Sequence, residues 1–136
     1  MSRKLNILVV DDSLIMRVNL IRSLEWLGHK IVAEAVNGES SITAYKKYKP
    51  ELVTMDITMP DMDGITAVKK IKELNNNANV IMITSHGQEA MVMNALKAGA
   101  KGYILKPVSP EKLKESIGKI FPELENVVID ELLDEE

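Results

Sequence analysis

Cysteine is absent from this chain, aromatic residues make up only 4% of it, and no apolar run is long enough to cross a bilayer. Without cysteine there is no disulfide scaffold, no thiol nucleophile and no cysteine-built metal cage. A membrane-spanning helix needs about 20 predominantly apolar residues, whereas the short stretch after Arg3 and Lys4 meets Asp11 and Asp12 too soon for a span or a signal-peptide core. A cytoplasmic location with no membrane partner is therefore expected. Also missing is any glycine-rich phosphate loop of Walker or G-x-G-x-x-G form, which argues against a resident nucleotide. No basic cluster is interleaved with aromatics, so nucleic acid is not expected as a partner either.

What the chain does have is 136 residues, of which 46% are hydrophobic and 27% charged, enough for one ordinary globular domain with one core. A net charge of -3 hides an asymmetry: residues 123–136 carry seven acidic groups and no lysine or arginine, leaving the remainder at +4. We read residues 1–121 as the domain and 122–136 as an acidic C-terminal extension. Within the extension, Val128 with Leu132, and Ile129 with Leu132 and Leu133, have helical spacing. Two readings stay open for it, a frayed acidic tail or a segment that shields a basic face including Lys97 and Lys101. A monomer is the default expectation.

The organising stretch is Leu52-Val53-Thr54-Met55-Asp56-Ile57-Thr58-Met59-Pro60-Asp61-Met62-Asp63-Gly64. A strand cannot run through Met59-Pro60, because proline lacks the donor a ladder needs, so Asp56 falls at a strand's carboxyl end. Four other apolar runs have the same character: 5–10, 31–35, 79–84 and 102–105. They alternate with helical patterns. Ser13 caps the first helix, with Ile15, Val18, Leu20, Ile21, Leu24 and Leu27 as its apolar face and Gly28 as its stop. Asn37-Gly38 reads as a turn before a helix marked by Ile42, Tyr45 and Tyr48. The third helix follows Gly64, with Ile65, Val68, Ile71 and Leu74 inward. A fourth runs from about Gln88 to Lys97, and the last opens at Ser109-Pro110-Glu111 with serine capping and proline in the first turn. Alternating strand and helix with doubly buried strands predicts an α/β fold, an open, doubly wound parallel sheet of five strands with five helices.

Ligands of such sheets bind at the carboxyl ends of the strands. Here those ends read Asp11-Asp12, Asp56, Thr84 and Lys106. Taken singly, the acidic pair is a common helix entry, Asp56 a common loop cap and Lys106 before proline a common solvated lysine. Together they are hard to assign to capping. Three carboxylates at one edge repel unless a cation sits among them, and a hard-oxygen set without His or Cys suits Mg²⁺ and disfavours zinc. An Asp carboxylate can attack phosphorus to form an acyl phosphate when a cation and a lysine neutralise the transferring oxygens.

The acidic pair after strand one, the Met55-to-Gly64 stretch, Ile83-Thr84-Ser85 after strand four and Lys106-Pro107 after strand five resemble the receiver domains of two-component response regulators over residues 5–121. Gly87 to Val92 and Lys97 to Tyr103 are most similar to stand-alone chemotaxis regulators of the CheY type. The strand order that the resemblance implies is 2-1-3-4-5. The resemblance implies that Asp56 accepts a phosphoryl group from a CheA-like histidine kinase, that Asp12, Asp56 and the Thr58 backbone carbonyl hold Mg²⁺ directly with Asp11 acting through water, and that Lys106 and Thr84 contact the phosphoryl oxygens. It also implies a cis bond before Pro107 and a switch in which Thr84 and Tyr103 move together. A flagellar motor switch protein or an adaptor would then be the output partner, with a phosphatase as a further one. Thr58 and His86 sit at positions that in this family tune phosphoryl lifetime; His86 also reads as a solvated loop residue. The implied protein is a signalling phosphoacceptor and not an enzyme with turnover. A phosphorelay intermediate passing the phosphoryl to a histidine phosphotransferase is the alternative. A metal-dependent phosphohydrolase is a third reading, disfavoured because Asp11-Asp12 lacks the Asp-x-Asp spacing and the chain has little room for a cap.

Overall fold

Each of the five apolar runs becomes a strand, and each is followed by a helix, in a computed structural model that describes residues 3–85 and 87–124. The order along the chain is β1 (Asn6–Val10), α1 (Leu14–Trp26), β2 (Lys30–Ala35), α2 (Gly38–Tyr48), β3 (Leu52–Met55), α3 (Gly64–Leu74), β4 (Val80–Thr84), α4 (Glu89–Ala98), β5 (Gly102–Leu105) and α5 (Pro110–Ile120). Residues 122–124 are also helical. All strand pairs are parallel, in the order β2-β1-β3-β4-β5, as the resemblance implied. His86 and residues 125–136, including the apolar stripe of the extension, lie outside the described residues.

Alternation along the strands sends side chains to opposite faces, and each face builds its own core. Leu8, Val10, Val53, Met55, Val80 and Met82 pack beneath α2, α3 and α4 through Tyr45, Val68, Ile71 and Ala95. Ile7, Val9, Leu52, Ile81 and Ile83 pack against Leu20 and Leu24 of α1 and Leu113 and Ile117 of α5. Burial on both faces explains why β1, β3 and β4 read as unbroken apolar runs, with Thr54 the one polar interruption inside them. Its hydroxyl is buried without a hydrogen-bond partner among the described residues.

The helix boundaries follow local chemistry. Ser13, Asp63 and Ser109 each accept an N–H from the first turn of their helix through the side chain, satisfying donors that have no partner inside the helix. Gly28 and Gly99 take left-handed φ values of 96° and 113° just past α1 and α4, the role expected of glycine there. Asn37-Gly38 corrects the turn reading: Asn37 is the cap of α2 and Gly38 its first residue, in a reciprocal capping box with Ser40. On α1 the expected apolar face is too wide. Leu20 and Leu24, one turn apart, are buried, but Ile15 is 72% exposed, and Leu14, Val18 and Trp26 are exposed with it. The core-facing stripe is therefore Leu20 and Leu24, with Ile21 and Leu27 partly buried against the same cluster. Leu74, also expected inward, is exposed at the end of α3.

Candidate functional site

The two strands at the centre of the sheet deliver their carboxylates to one spot. β1 stops at Val10, and Asp11 continues the β2 ladder by one bond, its N–H to the Ala35 carbonyl at 3.1 Å. The side chain then turns back: Asp11 Oδ1 accepts the Ser13 N–H at 2.9 Å, which sets the entry into α1. Next to it, Asp56 donates its N–H to the Val10 carbonyl at 3.0 Å, so its backbone is fixed by bonding to β1. The chain leaves β3 immediately and returns to it, with the Gly64 N–H bonding the Ile57 carbonyl at 2.8 Å. A Cβ on Gly64 would lie 2.1 Å from the Asp56 carbonyl oxygen, so only glycine lets α3 start this close beneath the carboxylate.

Carboxylate oxygens of Asp11, Asp12 and Asp56 all lie within 4.8 Å of one another. Asp11 and Asp56 are buried while Asp12 is exposed. From across the sheet edge, Lys106 places Nζ 3.1 Å from Asp11 Oδ2 and 3.7 Å from Asp56 Oδ1. Its backbone N–H bonds the Thr84 carbonyl at 2.8 Å, tying the end of β5 to the end of β4. The Lys106-Pro107 peptide is cis, as the resemblance implied.

One ammonium does not balance three carboxylates. Burial pushes the Asp56 carboxyl up from 3.8 to about 6, with the Asp11 carboxylate the next cause; Lys106 opposes the rise, Asp12 adds to it, and a backbone N–H of Thr58 opposes it. Such a site gains from a small divalent cation. Hard carboxylate oxygens converging from two strands, one of them open to solvent, with no imidazole or thiolate, fit Mg²⁺.

Of the residues expected at the site, Asp11, Asp12, Asp56 and Lys106 come together. Thr84 is fully buried at the end of β4, in register with Leu105 of β5. Tyr103 is half-buried two residues before, paired with Met82, and packs on the α3–α4 core; burial raises its phenol. Thr58 is exposed above Asp56. His86 lies outside the described residues. Arg17 was not anticipated: its Nη1 donates to the Asp11 carbonyl at 2.9 Å and its Nε pairs with Glu34 at 3.0 Å, bracing the acidic loop against β2. Its position one turn after the Ser13 cap was the available signal. A hollow of about 420 Å³ adjoins Lys106, between Asn19 of α1, Ser85 and Val108.

An open parallel sheet with clustered carboxylates and one lysine at the carboxyl ends of its strands defines a class of protein built to receive a small anionic group beside a divalent cation. The chain belongs to the response regulator receiver domain family, whose family model matches residues 7–118. It is 48% identical over 113 residues to the chemotaxis protein CheY of Bacillus subtilis, a match spanning 83% of this chain and 94% of that protein. The CheY of Thermotoga maritima is 44% identical over 114 residues, spanning 84% and 95%. Among solved structures, the Borrelia burgdorferi CheX-CheY-BeF3-Mg complex superimposes with a TM-score of 0.83 at 39% identity, covering 85% of this chain and 88% of that one. This is a CheY-like receiver domain, a signalling module of the two-component type. No helix among the described residues is long and apolar enough to cross a membrane.

Proposed function

We propose that this protein is a chemotaxis phospho-switch whose acceptor is Asp56. The observation that carries the reading is the buried Asp56 carboxylate facing Lys106 at 3.7 Å inside a cluster of three carboxylates. A CheA-like histidine kinase would supply the phosphoryl group as a phosphohistidine. One Asp56 oxygen forms a bond to phosphorus as the P–N bond breaks, and the imidazole leaves with the electron pair. Lys106 and the Thr84 hydroxyl then hold the phosphoryl oxygens. Asp12, Asp56 and the Thr58 carbonyl would hold Mg²⁺ directly and Asp11 through water; when bound, the ion neutralises charge on the transferring oxygens. The solved Borrelia relative is a complex with BeF3 and Mg, which supports this assignment.

The phosphorylated form would draw Thr84 toward the new anion and let Tyr103 turn inward, reshaping the face of α4, β5 and α5 for a flagellar motor switch protein or an adaptor. A phosphatase would reset it. Residues 1–121 would form the switch and 122–136 an appendage to it. The chain acts on its own phosphoryl group and turns over no external substrate. The test is intact mass after incubation with acetyl phosphate, with Mg²⁺ or with chelator, beside Asp56→Asn. One phosphoryl gained only with Mg²⁺ and only by the unsubstituted chain is expected; uptake by Asp56→Asn overturns the reading.

A further inference from the structure

The outer edge of the sheet carries a groove that no described residue fills. β5 is last in the strand order, and between its edge and α5 lies a groove of about 450 Å³ whose lining includes Lys101, Tyr103, Leu105, Lys112, Ser116 and Lys119. Its charge is one-sided. The single carboxylate there, Glu115, already pairs with Lys119 at 3.4 Å. Among the described residues, Lys101 and Lys112 bond neutral oxygens only: Lys101 that of the Asn79 side chain at 2.6 Å, Lys112 the carbonyls of Leu105 and Pro107 at 3.5 and 3.1 Å. The groove thus combines an apolar strand edge, with Leu105 44% exposed, and two lysines, Lys101 and Lys112, not neutralised by any described carboxylate.

The described chain ends close to this groove. Leu124 packs against the α1–α5 core, and Arg3 anchors the residues before it, donating to Glu123 at 3.1 Å and lying 5.8 Å above the Phe121 ring. The C-terminal half of α5 lies against the start of β5, since a Cβ on Gly102 would meet Ser116 Oγ at 2.6 Å. From Leu124 twelve residues remain. They reach at most about 40 Å when extended, against about 13 Å for the four-residue edge of β5. These residues carry six carboxylates, no lysine or arginine, and the apolar Val127, Val128, Ile129, Leu132 and Leu133.

We propose that residues 125–136 occupy the β5–α5 groove of their own chain, carboxylates toward Lys101, Lys112 and Lys119 and apolar side chains over the strand edge. Tethering gives the segment an effective concentration in the millimolar range, so modest intrinsic affinity suffices. Lys97, which the sequence grouped with Lys101, lines a separate hollow between α3 and α4 with Asp63 and Lys69 and is not part of the contact. Any protein docking on β5 and α5 must displace the segment. This holds whether or not Asp56 is phosphorylated.

The absence of native cysteine makes the test direct. Glu136→Cys in the full chain takes a nitroxide label, and amide signal loss is mapped across the body. The expected result is severalfold loss confined to Lys101–Leu105 and Ser116–Lys119 at about 0.1 M salt, reversed at about 1 M, where screening shortens from about 10 Å to about 3 Å. Combined Lys101→Glu, Lys112→Glu and Lys119→Glu should abolish it, with the amide spectrum reporting that the chain stays folded. Uniform loss, loss centred on another face, or loss indifferent to both salt and charge reversal overturns the proposal. So does loss seen only when labelled chains broaden unlabelled ones, which would make a second copy the occupant.

Discussion

Replacing Asp56 by asparagine should stabilise the protein while abolishing its capacity to accept a phosphoryl group. The carboxyl is raised from 3.8 to about 6, so at neutral pH the fold holds a charge that the unfolded chain holds more cheaply. At about 1.4 kcal/mol per pH unit the difference is about 3 kcal/mol. The sign follows from proton counts: between pH 3.8 and about 6 the folded state binds more protons than the unfolded state, so this group lowers stability as pH rises through that window. Asp56→Asn lacks the effect. Its advantage should grow from about 1 kcal/mol near pH 4.5 to about 3 kcal/mol at pH 7. With a urea slope of about 2 kcal/mol/M, the midpoint gap at pH 7 is about 1.5 M. Urea titrations of both chains in chelator, at several pH values, measure it. Added Mg²⁺ should narrow the gap by stabilising the unsubstituted chain more. Equal midpoints at pH 7, or a gap independent of pH, would refute the electrostatic reasoning.

Three further outcomes follow from single contacts. Gly64→Ala forces a Cβ to within 2.1 Å of the Asp56 carbonyl oxygen, so the urea midpoint should fall by the equivalent of about 3 kcal/mol, at the upper end of overpacking costs. Thr54→Val removes a buried hydroxyl that has no partner among the described residues and should raise stability by about 1 kcal/mol, read in the same titration. Lys106→Met removes the ammonium 3.1 Å from Asp11 and 3.7 Å from Asp56; phosphoryl uptake from acetyl phosphate should slow by about 10²-fold, the usual cost of losing one donor to a developing oxyanion.

The sheet was legible because its strands are buried on both faces and interrupted by strong punctuation. Pro60, Gly28 and Gly99 mark stops whose physics is local, and the strand-end residues Asp11, Asp12, Asp56 and Lys106 converge once the strands are parallel. Local pattern failed where tertiary context decides. Ile15 and Val18 fit a helical apolar stripe as well as Leu20 does, yet the core takes Leu20 and Leu24, and Ile21 and Leu27 in part, and leaves those two exposed. Asn37-Gly38 carries the same residues whether it is a turn or a cap, and Ser40 three places on was the deciding feature. Arg17 was missed because its partner at the site is a backbone carbonyl, and its carboxylate partner, Glu34, is brought to it only by the packing of α1 on β2. Gly64 looked like a helix start, while its close approach to Asp56 depends on how β3 and α3 meet in space.

The central claim is that Asp56, and no other carboxylate of the cluster, takes the phosphoryl group. Acyl phosphates are reduced by borohydride to the alcohol, which converts a phosphorylated aspartate into homoserine. The chain treated with acetyl phosphate and Mg²⁺, then borohydride, should yield homoserine at position 56 alone by peptide sequencing in the mass spectrometer. Homoserine at Asp11 or Asp12, or at none of the three although intact mass records the phosphoryl, would contradict the account.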